Sequence, residues 1–376
     1  MSFLRRRLSF LTRRQFSSSP PLSSSSSAKV PLLYEAPEGT AAVNVQLYSW
    51  GRGSSGQLGG GVEEIRIYPA PVANLLLPRS FTLSPIPGKL RQNQKGSDSP
   101  PPSVCRGYGG FGALGHSVYH RELLPRLVEG SWDGAIWHIA TSGTHTAAVT
   151  QSGELYTWGR EEGDGRLGLG PGRGPDQTGG LSIPSKVKAL PVAVVSVSCG
   201  GFFTMALTEE GQVWNWGANA NYELGRGNKV GGWQPKPIPS LENVRISQIA
   251  SGGYHSLALT DDGNVLSWGH GGHGQLGHCS IQSQKEPQVI ETLANERVIS
   301  IACGGSSSAA VTDKGKLYMW GNGKDAQLGV PGLAELQPCP KEVKFLVEDD
   351  GLEPHNVLSV AIGASHTLCL VSRTAF

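Results

Sequence analysis

What this chain of 376 residues lacks already excludes several classes of protein. No stretch approaches the ~18 consecutive apolar residues of a membrane-spanning helix, so insertion into a membrane by helices is not expected. Its six cysteines show no CxxC or other paired spacing, so each is expected to be a single structural residue and not part of a disulfide or metal site. Cys199 and Cys303 share one repeat position that holds Ser251 in another unit, which asks only for a small buried side chain. No helical period of useful length appears, which counts against a helical solenoid. Nor is the body basic. Residues 1–28 hold five arginines and no acidic residue, and the other 27 basic residues face 30 acidic ones, leaving −3. A surface that grips a nucleic-acid backbone by charge alone is clearly basic. No Ser-His-Asp, paired-carboxylate or Cys-His set stands apart from the repeat pattern, so a non-enzyme without cofactor or metal is expected.

The first thirty residues, MSFLRRRLSFLTRRQFSSSPPLSSSSSAKV, read as an address. They are Arg-rich, Ser-rich and acid-free, with Leu4, Leu8 and Leu11 on one helical face and arginines off it. Arg14-Gln15-Phe16-Ser17 has the look of a matrix-protease cleavage site. A mitochondrial transit peptide over residues 1–30, with delivery to the matrix, is expected, the early arginines favouring it over a chloroplast address; a disordered basic tail is the other alternative. Residues 31–43 read as a linker.

From residue 44 onward one unit recurs. Trp50, Trp158, Trp216, Trp268 and Trp320 each precede glycine, and the last four are spaced by 58, 52 and 52 residues. A period near 50 built from short strands and turns signals an array or a propeller. Eight residues before these four tryptophans stand Thr150, Thr208, Thr260 and Thr312; five before stand Gly153, Gly211, Gly263 and Gly315. Thr-x-x-Gly predicts a hairpin turn between a short apolar strand and the return strand that carries the tryptophan. A Leu-Gly pair follows at Leu58, Leu167, Leu224, Leu276 and Leu328, then a polar loop and a Pro-containing strand. The unit therefore predicts four short antiparallel strands, a propeller blade. The fold class expected is all-β, a β-propeller of about six visible units over residues 44–376.

The two ends of this region are complementary. VAIGASHTLCLV (Val360–Val371) is a first half without its second, and VQLYSWG (Val45–Gly51) is a second half without its first. Pairing them closes a ring and hides edge strands. One unit is damaged. RGYGGFGALGH (Arg106–His116) matches WGHGGHGQLGH (Trp268–His278) at seven of eleven positions, with Arg106 in the place of tryptophan. Upstream, residues 61–105 form a degenerate Pro/Ser-rich unit. It reads either as about one blade of chain absent, as a skipped exon would leave, or as a natural insertion.

The chemically suggestive residues are mostly repeat residues. His145, His255 and His366 share one position, filled elsewhere by Phe203 and Ser307, and are read as structural histidines bonding across strands. His270, His273, His278 and Cys279 have zinc-like spacing but occupy an ordinary repeat loop. The glycine-rich run Gly165–Gly180 lacks Gly-Lys-[Ser/Thr] and precedes no helix, so nucleotide binding is not expected. That run belongs to an insertion: Trp158 to Pro184 spans 26 residues, against 19 from Trp216 to Pro235. Its charged residues Arg160, Glu161, Glu162, Asp164, Arg166 and Arg173 make it the candidate partner-contact loop; a solvated insertion is the alternative.

Gly-Gly-x-His-[Ser/Thr]-x-Ala-[Leu/Val]-Thr, Gly-x-[Leu/Val]-Tyr-x-Trp-Gly and Gln-Leu-Gly, recurring at fixed offsets, resemble the repeats of the regulator of chromosome condensation family. The resemblance covers about residues 44–376 and implies a seven-bladed propeller. Six Trp-Gly positions, Arg106 included, leave this chain about one blade short. Together with the leader, the chain resembles a plant mitochondrial member of that family. That implies a non-enzymatic scaffold supporting splicing of mitochondrial transcripts and, through it, respiratory complex I biogenesis. Protein partners such as splicing factors are expected, with RNA contacted indirectly. The alternative drawn from the family is a guanine-nucleotide exchange factor for a small GTPase. A plant ultraviolet photoreceptor also shares this repeat, but its Gly-Trp-Arg-His-Thr segments are missing here.

Overall fold

The structure, a computed structural model, describes residues 32–34, 42–53, 58, 64–78, 104–107, 110–132, 134–171, 180–332, 335–345 and 355–372. The expected leader at 1–30 and Arg173 lie outside them, as do residues 79–103 of the degenerate unit.

Each intact unit is a meander. The first blade joins both ends of the chain: β1 (Leu32–Tyr34), β2 (Ala42–Arg52) and β3 (Ile65–Pro78) assemble with two strands from the far end of the sequence. Among the described residues, a second sheet has β4 (Val104–Gly107) and β5 (Glu122–Leu127). The third blade runs β6 (Ile136–Thr141), β7 (His145–Thr150), β8 (Leu155–Arg160), β9 (Gly180–Lys186), hydrogen-bonded in that order. The fourth repeats this with β10 (Val194–Cys199), β11 (Phe203–Thr208), β12 (Val213–Gly217) and β13 (Gly232–Pro237). The fifth has β14 (Ile246–Ser251), β15 (His255–Thr260), β16 (Val265–Gly269) and β17 (Gln284–Val289). The sixth has β18 (Val298–Cys303), β19 (Ser307–Thr312), β20 (Leu317–Asn322) and β21 (Leu336–Glu342). β22 (Asn356–Ile362) and β23 (His366–Ser372) then complete the first blade, β23 pairing antiparallel with β2 from Val45↔Ser372 to Gly51↔His366. The predicted pairing of the two ends is therefore present.

Why these residues make this hairpin is local. In the third blade the Gly153 amide donates to the Thr150 carbonyl at 3.0 Å, and Gly153 takes φ of 85°, a region L side chains avoid. The Thr150 hydroxyl accepts the Glu154 amide at 3.1 Å; Thr208, Thr260 and Thr312 do the same four residues downstream. The Gly153 carbonyl accepts the Val194 amide, so the turn also sets the first strand of the next blade.

β7, β11, β15 and β19 are buried along their whole length. The apolar clusters lie between blades: one joins Val195, Phe203, Met205 and Leu224 to Ile249 and Trp268, another joins Leu257 and Leu293 to Ile301 and Trp320. The core is a stack of blade-to-blade interfaces, each of which needs the neighbouring sheet. The second sheet departs from this plan. Among the described residues, no inner pair of strands stands beside β4.

Candidate functional site

Blades are fastened to one another by a repeated polar latch. The Trp216 indole donates to the Arg166 carbonyl of the preceding blade at 3.0 Å, and the Thr204 hydroxyl donates to the same oxygen at 2.8 Å. Trp268 and Ser256 share the Glu223 carbonyl, Trp320 and Ser308 that of Gln275, Trp50 and Thr367 that of Gln327, Trp158 and Thr146 that of Ala113. Each of these five tryptophans is fully buried. The glycines of four Leu-Gly pairs, Gly168, Gly225, Gly277 and Gly329, lie under the next indole: a Cβ on Gly168 would stand 2.7 Å from Trp216 Nε1. The Trp-Gly and Leu-Gly motifs are thus two halves of one joint.

The repeated histidines belong to the same joint. His145 Nε2 meets the Thr204 hydroxyl of the next blade at 2.8 Å, and His255 Nε2 meets Ser308 Oγ at 2.8 Å. Burial lowers the pKa of both to about 3; Arg166 adds to this at His145 and His270 at His255. They are neutral hydrogen-bonding groups at any physiological pH. His366, at the matching place in the first blade, is half-buried and is lowered by burial as well. The rings of His145 and His255 bond across blades, where the sequence suggested across strands.

The candidate contact loop divides into internal and external charges. Arg166 is fully buried; it pairs with Asp164 and Glu162, and its guanidinium lies over the Phe202 ring at 4.7 Å. Glu161 is buried too, and accepts the backbone amides of Gly163, Gly165 and Leu167 at 3.1, 2.9 and 3.2 Å. Burial raises its pKa, opposed by the Gly165 and Leu167 amides. Both side chains shape the loop from within. Arg160, Glu162 and Asp164 remain as its accessible charges: Arg160 pairs with Glu162 and lies over the Phe111 ring at 4.3 Å.

A row of rings extends the loop across neighbouring blades, which the sequence alone did not single out. Phe202 stacks on Tyr254, centroids 5.6 Å apart; Tyr254 meets His270 edge-on at 6.4 Å, and His270 lies 5.7 Å from His273. Tyr254 is 41% exposed. Phe202 and Tyr254 fill the variable place between Gly-Gly and the histidine position, where Thr144 and Ser306 stand in other units. A variable aromatic inside a fixed glycine motif was the available signal. The first strands of the blades line something different, an open cavity of about 290 Å³. Polar groups there bond between blades: the Val197 amide reaches His138 Nδ1, the Ser251 amide Ser198 Oγ, and Gln248 pairs with the Ile301 backbone. Burial lowers the His138 pKa to about 4.

The zinc-like set is dispersed. His278 Nε2 bonds Ser267 Oγ at 2.8 Å, His270 Nδ1 meets Gln275 Nε2 at 3.1 Å, and Cys279 is bonded to Cys339. That disulfide corrects the expectation of six single cysteines. Sixty residues separate the pair, but the repeat places the loop after Leu276 beside the outer strand of the following blade. Paired spacing within one unit could not show it. Cys199, Cys303 and Cys369 are free thiols whose pKa values burial pushes well up.

Comparison with known proteins agrees with this architecture. The RCC1-like domain profile matches residues 104–369. The "RCC1 domain-containing protein RUG3, mitochondrial" of Arabidopsis thaliana is 56% identical over 445 aligned positions covering all of both chains. The alignment has 69 positions more than the 376 residues of this chain. The "Ultraviolet-B receptor UVR8" of the same plant is 32% identical over 86% of this chain and 70% of its own. Among solved structures, yeast RCC1 (Prp20), crystallised with Kap60, superposes with a TM-score of 0.68 at 18% identity over 97% of each chain, a likeness of fold. With the joints, the blade meander and the paired ends all present, the chain belongs to the family of RCC1-repeat propellers and is a homologue of a mitochondrial member.

Proposed function

We propose that this propeller is a non-catalytic scaffold of the mitochondrial matrix that supports splicing of organellar transcripts, and hence respiratory complex I biogenesis, through protein partners. Its similarity over full length to the mitochondrial protein RUG3 carries this reading. Two features of the molecule support it. The repeated Trp, His and Thr residues are consumed in blade joints, which leaves the loop face as the place for contact. The body is slightly acidic outside residues 1–28, so phosphate backbones are met through partners. The contact face offered is the row Phe202–Tyr254–His270 with the accessible charges Arg160, Glu162 and Asp164 beside it.

Affinity purification of the tagged chain from mitochondria, identifying proteins and RNA together, tests this. The expected result is a set of splicing proteins whose recovery survives nuclease treatment, with intron-containing transcripts lost by it. Direct, salt-sensitive RNA binding by the purified mature chain would overturn the indirect mode. Stimulated nucleotide release from a mitochondrial small GTPase would replace the scaffold with an exchange factor.

A further inference from the structure

Cys279 and Cys339 belong to different blades. Cys279 lies within the loop that joins β16 to β17 in the fifth blade, and Cys339 stands on β21, the outer strand of the sixth. Their Cα atoms lie 4.3 Å apart. The backbone prepares this approach without help from the sulfurs. Cys279 takes φ of 56°, and its amide donates to the Pro338 carbonyl at 3.0 Å. Gly274, earlier in the same loop, lets β21 come so near that a Cβ there would stand 2.7 Å from Pro338 Cα. Two thiols seated this way stay within bonding reach whether or not they are joined.

Access separates this pair from the other described cysteines. Cys279 is exposed and Cys339 half-buried, so a small thiol can reach the bond from solvent. Cys199 and Cys369 are buried in the blades, Cys303 is nearly so, and burial keeps all three protonated and poor at exchange.

We infer that Cys279–Cys339 is a reversible clip between the fifth and sixth blades, opened and closed by the glutathione couple. In opening, the thiolate of one glutathione attacks one sulfur of the bond, giving a mixed disulfide and one free cysteine thiolate. A second glutathione releases the other cysteine; the products are two cysteine thiols and glutathione disulfide. In closing, glutathione disulfide is the oxidant: it takes the two electrons, and the two thiols give up their protons. The clip sits in the loop that carries His270 and His273, so its state sets how firmly that end of the ring row is held. Opened, the loop keeps its hydrogen bond to Pro338 and its seat on the indole of Trp320, and the propeller stays folded.

The test equilibrates the full chain in glutathione buffers of graded ratio, quenches with an alkylating reagent and maps the peptides. Positions 279 and 339 are expected to pass together from linked to doubly alkylated, with Cys199, Cys303 and Cys369 unlabelled until the chain is unfolded. The oxidised chain is expected to unfold about 5 °C above the reduced one, a difference absent from Cys279→Ser and from Cys339→Ser. Reduced wild-type chain is the control that needs no substitution. Alkylation of both positions at every ratio, a link to any other cysteine, or equal unfolding temperatures for oxidised and reduced wild type would overturn the clip.

Discussion

His145 and His255 stand in the wall between blades as uncharged hydrogen-bonding groups, and acid is what such a wall resists least. Their pKa values are lowered from 6.5 to about 3 in the fold. Between those limits the unfolded chain binds a proton at each site that the folded chain does not. Stability is therefore full above about pH 6.5 and falls as pH drops toward 3, by roughly 1.4 kcal/mol per pH unit for each histidine. Urea unfolding at several pH values is expected to show this slope. His255→Phe, which copies Phe203 at the same repeat place, should make it shallower. Arg166 raises the opposite problem, a charge that is fully buried and must stay paired. Asp164→Ala removes its principal carboxylate and is expected to destabilise by about 3 kcal/mol, while Lys188→Ala, at an exposed position just after β9, should change little.

Elements show why the blade was readable and the inner packing of the 160–166 loop was not. The Thr-x-x-Gly turn, the return strand and the Leu-Gly pair are decided by contacts within a few residues, and those contacts recur. A pattern in one chain can reveal them. Which charge of the 160–166 loop turns inward depends on Phe202 in the following blade, and the Cys279–Cys339 bond depends on blade-to-blade distance. Neither leaves a mark at short spacing. Gly159 is the sharpest test of the local logic. It takes φ of 118°, and a Cβ there would stand 2.5 Å from His145 Cα on the paired strand. Gly159→Ala is expected to cost more than about 2 kcal/mol. Gly170→Ala, at φ of 113° with nothing within 4 Å, should cost about half that. Thermal unfolding of the two variants side by side checks the difference.

At the scale of the molecule the second sheet is the weak place. Its two strands lack inner partners among the described residues, and the alignment with the mitochondrial relative holds 69 positions without a residue of this chain. One unit is 52 residues from Trp216 to Trp268, so 69 positions are enough for one further blade. A two-stranded ribbon without a hydrophobic partner is marginal in water. Hydrogen exchange is expected to be fastest in β4 and β5 and slowest in β11, β15 and β19, which are wholly buried where described. Replacing the stretch between Pro78 and Val104 by the inner strand pair of an intact blade should slow exchange in β4; unchanged exchange there would mean the sheet never required inner strands.

The blade formed by β2 and β23 also dictates an order of events. Trp50 pairs with Thr367, more than 300 residues away, so this sheet cannot form until nearly the whole chain is free. A chain threaded through a membrane amino end first would have β2 and β3 waiting, edges bare, while the third to sixth blades stack behind them. Joining distant segments is slow because the intervening chain must first be ordered. Closure should then be the last and slowest step of folding, and a circular permutant that makes β23 and β2 consecutive should refold faster with the same final stability. The period before closure is when the protein is most open to chaperones and to unwanted strand pairing.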